Sequence, residues 1–303
     1  MPKDLLAEGV RSRIAPTPSG FLHAGNGMNF ILTWAITRAS GGRLLLRIDD
    51  LDKWRYRREY VEDIFASLEW LGLDYDEGPR SVDELEEEWS QHHRLHRYQQ
   101  LLDKLRVNQH LFACQCSRRE IRERSKDGRY PGTCCNKGLA FDQAATAWRV
   151  NAPSLNGGIK LVDWQKGMSS HSLEAIDEFV VRQKNGLPAY QIASLTDDVY
   201  YGINLIVRGE DLWTSTLSQQ YLAHLLQQQD FYNCNFFHHT LIRNQDGEKM
   251  SKSAGADALR TWRQDGRPPS FLFQLTAPVL GLELGISDGP SLVTALQEKL
   301  LKN

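Results

Sequence analysis

Arg11-Ser12-Arg13-Ile14-Ala15-Pro16-Thr17-Pro18-Ser19-Gly20-Phe21-Leu22-His23-Ala24-Gly25-Asn26 is the stretch on which the reading of the fold turns. Arg13-Ile14-Ala15 reads as a short strand and Pro16 to Gly20 as a loop. Asn26 to Ala39 has helical apolar spacing and closes at Gly41-Gly42. A strand that runs through a Gly-containing loop into a helix N-terminus presents unpaired N–H groups and the positive dipole end to a polyphosphate. His23 adds a donor beside them, and Gly25 lets the backbone come close to a nucleotide. Taken alone, a His-x-Gly in a turn is more often structural.

Outward from this segment, Leu44 to Ile48 reads as a buried parallel strand, and a helix is expected from about Tyr60 to Leu71, stopping at Gly72. This β-α-β-α start predicts an α/β fold on a doubly wound, Rossmann-type parallel sheet. Residues 83–107 form a long polar helix candidate with an acidic first turn and basic residues near its end, as the helix dipole favours. Residues 108–172 carry cysteines and irregular Gly/Asn/Ser-rich sequence and are expected to be an inserted subdomain. Regular patterning returns at Phe179-Val180-Val181, Ala189 to Leu195, Asn204 to Val207 and Thr216 to Gln229; from Ser270 one apolar helix is expected and little more. The expected organisation is 1–107 and 173–245 as two halves of one sheet domain, 108–172 between them, and 246–303 as a loop and short helical tail.

Glu248-Lys249-Met250-Ser251-Lys252-Ser253-Ala254-Gly255 is a second candidate site. Two lysines three apart on a Gly-bounded loop form a cationic clamp for charge developing on phosphoryl oxygens. A solvated lysine-rich loop is the alternative. The third candidate is Cys114-Gln115-Cys116, followed by Tyr130 and Cys134-Cys135: four of the five cysteines fall within residues 114–135, a crowding that suits a metal site or free thiols better than a disulfide framework. With 36 basic and 38 acidic residues the net charge is only -2, so a nucleic-acid partner needs a local basic face. Arg118, Arg119, Arg122, Arg124, Lys126 and Arg129 are either that face or a solvated helix. No apolar run is long enough for a secretory signal or a membrane span, and a cytoplasmic protein is expected.

His23-Ala24-Gly25-Asn26 resembles the "HIGH" motif of the class I aminoacyl-tRNA synthetases, and Lys249-Met250-Ser251-Lys252-Ser253 matches their second motif letter for letter. Arg13 to Gly20, Leu45-Leu46-Arg47-Ile48-Asp49-Asp50-Leu51-Asp52, Leu71 to Pro79 and Ile206-Val207-Arg208-Gly209-Glu210-Asp211-Leu212 resemble the glutamyl branch; the likeness runs from about Ser12 to about Ala254. The resemblance implies a ligase that uses glutamate, ATP and Mg²⁺. It assigns ATP to His23, Gly25, Asn26, Lys249, Met250, Ser251, Lys252 and Ser253, of which His23, Lys249 and Lys252 are catalytic. Glutamate falls to Arg13, Ala15, Thr17, Asp49, Tyr190, Ser194 and Arg208. Two positions depart from the family, which usually has Glu at Asp49 and often Asn at Ser194. The spacing of Cys114, Cys116, Tyr130 and Cys134 resembles the structural Zn²⁺ site of the short glutamyl-queuosine tRNA(Asp) synthetases, with Cys135 or a histidine as substitute for Tyr130. Only 50 residues follow Ser253 (303 minus 253), too few for a helical anticodon-binding region. The short branch implies transfer of glutamate to queuosine in tRNA(Asp). A truncated glutamyl-tRNA synthetase charging a 3′ end and a non-catalytic amino-acid- or RNA-binding paralog are the alternatives.

Overall fold

The computed structural model describes residues 9–125, 128–151, 158–164, 167–241 and 259–302. The opening segment forms β1 (Arg11–Ile14), a loop from Ala15 to Leu22, and α1 (Ala24–Ala39). The strand ends one residue earlier than expected and the helix starts two earlier, with His23 as the residue that caps it. β2 (Arg43–Leu46) pairs with β1 in parallel, Ile14 opposite Leu46, and α2 (Arg58–Leu71) ends where Gly72 takes the left-handed conformation, φ 67°. Glycine adopts that conformation without the penalty a Cβ brings, which is why the helix stops there.

In the second half, β8 (Leu205–Gly209) and β9 (Asn235–His239) pair in parallel, and β5 (Ile159–Asp163) adds to β9 in parallel with β6 (Gly167–His171) antiparallel at the edge. The two groups of strands meet where β1 lies beside β8: the Asn204 N–H donates to the Arg11 carbonyl (3.0 Å) and the Ser12 hydroxyl to the Leu205 carbonyl (2.9 Å). Side-chain alternation confirms that both faces are covered, since Leu44, Leu46, Leu205, Val207 and Phe237 join one core and Leu45, Ile206 and Phe236 the other. The first core holds α1 and α2. The second holds α3 (Leu95–Val107), α5 (Tyr190–Tyr200) and α6 (Trp213–Leu226).

Three boundaries differ from the sequence reading. β5 and β6, assigned by composition to the insert, belong to the large sheet. Val180 and Val181, assigned to the second half, lie instead in β7 (Val180–Arg182), which joins β3 (Leu111–Cys114) and β4 (Ala147–Val150) in a separate antiparallel sheet carrying α4 (Arg118–Arg124). Short strands with mixed burial carry too little pattern to show which sheet they join. The helix expected over 83–107 is broken: a wide π turn spans Leu85–Trp89, and Ser90 leaves helical geometry (ψ 139°) before α3. After the second motif the chain is more structured than expected, with α7 (Leu259–Gln264), α8 (Ser270–Thr276) and α9 (Gly289–Lys302). Leu259, Leu272, Leu292 and Leu296 bury against the α1 core. Among the described residues no helix is long and apolar enough to cross a membrane.

Candidate active site

The C-terminal ends of the parallel strands carry most of the candidate residues, as expected where an open α/β sheet reverses its strand order. His23 caps α1 from an extended conformation, and its N–H donates to the Asn26 Oδ1 (3.1 Å). A Cβ at position 25 would stand 3.0 Å from the His23 Cε1, so glycine there lets the imidazole fold over the first turn of the helix. His23, Gly25 and Asn26 line a cavity of about 220 Å³ together with Arg208, Asp211, His239 and Leu241. A larger cleft of about 780 Å³ is lined by Thr17, Asp49, Tyr190 and Ser194 and extends to Arg118, Arg149 and Lys184 of the insert side. That volume falls in the range typical of small-molecule sites, about 300–1,000 Å³.

A buried ionic network fixes the wall of these cavities. Asp198, fully buried on α5, accepts from Arg13 Nε (2.9 Å) and Arg47 Nη1 (2.7 Å). Arg47 turns its other nitrogens to Asp49 (2.7 and 3.2 Å) and to the Ser194 hydroxyl (3.2 Å). Burial pushes the Asp198 carboxyl up, but Arg13, Arg47 and Arg208 together hold it below its usual range. For Asp49 the balance reverses: burial outweighs Arg47 and raises its pKa. Arg13 is thus held by a protein carboxylate and lines neither cavity, and Ala15 sits half-buried in the loop after β1.

Arg208, 3% exposed on β8, is built differently. Its Nη1 donates to two neutral oxygens, Gln219 Oε1 (2.9 Å) and Thr216 Oγ1 (3.3 Å), and its Nε and Nη2 have no hydrogen-bond partner among the described residues. Burial pulls this guanidinium below its ordinary range, and nearby Arg13 adds to the effect. A desolvated cation with two unused donors in a fork matches an incoming oxyanion such as a carboxylate.

Lys249, Met250, Ser251, Lys252 and Ser253 lie outside the described residues, as does Lys126. The described residues flanking the second motif both reach the His23 segment: Leu241 lines its cavity, and the Leu259 N–H donates to the Leu22 carbonyl (2.9 Å).

In the insert, the sulfurs of Cys114, Cys116 and Cys134 lie within 4.8 Å of one another. The Tyr130 hydroxyl lies 3.4 Å from Cys114 Sγ and accepts from the Cys134 N–H (2.8 Å). Burial opposes ionisation of Cys134, yet the Gln115 backbone, Cys116 and Tyr130 hold its thiol down at about 7, while burial and Cys134 push Cys116 up to about 11. Cys135 points elsewhere, its thiol 3.8 Å from Glu178 Oε1.

Sequence reasoning missed Arg47, Asp198, Gln219 and Thr216, and also Asp197, buried beside Asp198 on α5, which accepts from Arg94 (2.8 and 3.1 Å) and the Tyr98 hydroxyl (2.9 Å). A signal existed for three of them: Arg47 interrupts an apolar strand run, and Asp197-Asp198 interrupt an apolar helix face. Buried charges need buried partners, so each was a reason to look for the other.

This cleft, opening at the carboxyl ends of a doubly wound sheet beneath a His-capped helix, defines a class I tRNA synthetase catalytic domain. The family described as tRNA synthetases class I (E and Q), catalytic domain, matches residues 9–283, and the chain belongs to that family. Within it, the chain is similar to the glutamyl-Q tRNA(Asp) synthetase of Verminephrobacter eiseniae, 37% identical with 91% of each chain covered. It is also 32% identical to glutamate–tRNA ligase 2 of Syntrophus aciditrophicus, covering 91% of this chain but 58% of that protein. A crystal structure of a glutamate tRNA ligase from Elizabethkingia meningosepticum in complex with its amino acid superposes with a TM-score of 0.74 at 22% identity, over 95% of this chain and 65% of that one.

Proposed function

We propose that the protein activates glutamate with ATP and transfers it to queuosine in tRNA(Asp). The observation that carries this reading is the likeness to a glutamyl-Q tRNA(Asp) synthetase over nine-tenths of both chains. Glutamate's carboxylate attacks the α-phosphorus of ATP, giving glutamyl-adenylate and pyrophosphate, and a queuosine hydroxyl then attacks the acyl carbon, forming the glutamyl ester and releasing AMP and a proton. Positioning and charge neutralisation do most of this work. His23 and the N–H groups opening α1 face the phosphates, with Lys249 and Lys252 as their cationic partners. Thr17, Asp49, Tyr190 and Ser194 line the amino-acid cleft, and the forked donors of Arg208 take a carboxylate. Asp49 is one methylene shorter than the family's usual Glu and is engaged by Arg47, so its part in holding the ammonium group is through that pair. Mg²⁺, when bound with ATP, neutralises phosphate charge.

Two outcomes separate the acceptors. A tRNA trimmed enzymatically of its 3′-terminal CCA, which leaves the queuosine diol intact, should still accept glutamate; loss of all incorporation after trimming would instead identify a synthetase that charges a 3′ end.

The donor set of the insert suits zinc: three thiols and a phenol converge, and tetrahedral structural sites favour cysteine sulfur. Zinc bound there would tie the turn after β3 to the Tyr130–Cys134 segment. Metal analysis of the purified protein should return one zinc per chain. Cys114→Ser should lose it and Cys135→Ser keep it, because only the first sulfur belongs to the cluster.

A further inference from the structure

The protein has eight tryptophans, and seven of them are buried or half-buried; Trp54 alone stands 85% exposed. It is held out by a structured turn between β2 and α2. The Lys53 N–H donates to the Leu51 carbonyl and the Arg55 and Tyr56 N–H groups to the Asp52 carbonyl, each at 3.1 Å. Arg57 Nη1 braces the Trp54 carbonyl (3.1 Å), and the Tyr56 hydroxyl is tied to Glu86 (2.7 Å). Leu51, Asp52 and Arg55, on either side of Trp54, line the 780 Å³ cleft, so the turn that carries the indole borders it.

The charge around that cleft is unbalanced. Asp49 is engaged by Arg47 and Asp52 by Arg55 (2.6 Å). Among the other lining residues, Arg149 and Lys184 give their hydrogen bonds to the backbone carbonyls of Glu178 and Gln115, both at 2.6 Å, and Arg118 is exposed. Both carboxylates of the cleft are therefore paired, while Arg118, Arg149 and Lys184 form no ion pair with a described residue, Lys184 lying only in the longer-range field of Glu120. An exposed indole on a hydrogen-bonded turn, beside a cleft whose other lining residues include cations without ion-pair partners, has the chemistry of a single-stranded RNA site: a π-face for an unpaired base and cations for the phosphates next to it.

We propose that Trp54 is a stacking platform for an unpaired base of the acceptor RNA loop, seating that loop beside the cleft with its phosphates toward Arg118, Arg149 and Lys184. The inference rests on the proposed transfer to tRNA and adds the surface that receives it. Because the loop nucleotide that accepts glutamate must reach down the cleft, a neighbouring unpaired base is the group that meets Trp54.

The test is the affinity of the full chain for a fluorescently labelled anticodon stem-loop transcript of tRNA(Asp) and for a fully paired RNA duplex of equal length, by fluorescence anisotropy. Trp54→Ala should weaken loop binding by about tenfold, within the range of one base–aromatic stack, and leave duplex binding within about twofold. Trp54→Phe should restore most of the loop affinity. Thermal melting of Trp54→Ala should match the parent, since the side chain is in water. Equal loop affinity in parent and Trp54→Ala, equal losses for loop and duplex, or no rescue by Trp54→Phe would each overturn the proposal. Failure of the proposed function would show elsewhere, as absence of glutamate-dependent pyrophosphate exchange in the parent protein, a measurement that needs no RNA contact.

Discussion

Arg208→Gln is expected to lower kcat/KM for glutamate in pyrophosphate exchange by about 100- to 1,000-fold while leaving the melting temperature unchanged or higher. Two opposite effects of one charge produce this split. The guanidinium is buried with only neutral oxygens on Nη1 and with Nε and Nη2 unpartnered among the described residues, so in the ligand-free protein its desolvation is only partly compensated, by the field of Asp198. Removing it relieves that cost, and glutamine retains an N–H for Gln219. A bound carboxylate loses its bidentate partner, and breaking a buried charge pair of this kind costs about 2–5 kcal/mol. Unchanged glutamate kinetics in this variant would remove Arg208 from the binding site.

The second large effect is on stability. Asp198→Asn should destabilise the fold by about 3–5 kcal/mol, the usual loss when one member of a buried ionic network is neutralised, because Arg13 and Arg47 both direct nitrogens at Asp198 Oδ1 and would be left partly uncompensated. The pH dependence follows from the direction of the shift. The folded-state pKa of Asp198 is depressed, so its stabilisation is fully present above the unfolded value of about 3.9 and is lost as pH falls through the lower folded value. Urea unfolding of parent and variant should therefore differ by a constant amount near pH 7 and begin to converge only as pH falls below about 4. A gap that persisted or widened in acid would contradict the ionic account.

What could be read in the sequence followed the strength of local signals. The opening strand, loop and helix were legible because glycine, proline and apolar spacing each mark a distinct backbone state, and Gly72 stopped α2 where expected. The convergence of Cys114, Cys116, Tyr130 and Cys134 was legible in their spacing and resemblance. By contrast, β5 and β7 are short strands whose sheet membership depends on partners far along the chain. The break at Ser90 was hidden for a related reason. Ser90 leaves helical geometry so that its hydroxyl and the Gln91 N–H donate to Asp50, contacts 40 and 41 residues away that no local propensity encodes. The polar network behind the cleft was the least visible part. Arg47 and Asp198 are ordinary letters until folding brings them to 2.7 Å. The same holds for Gln219, whose neutral amide beside Arg208 leaves that cation for a ligand to satisfy.

Trp54 teaches the complementary lesson. From sequence it is one more apolar residue in a basic stretch; only its exposure and its place on a turn that borders the cleft distinguish it from the seven tryptophans that pack inward.

The most direct test of the whole account is ATP–pyrophosphate exchange with labelled pyrophosphate, run against glutamate, aspartate, glutamine and no amino acid, with and without tRNA. Exchange that depends on glutamate and is far weaker with the other two is the predicted result. No exchange with any amino acid under either condition, from protein that is folded and binds ATP, would contradict it.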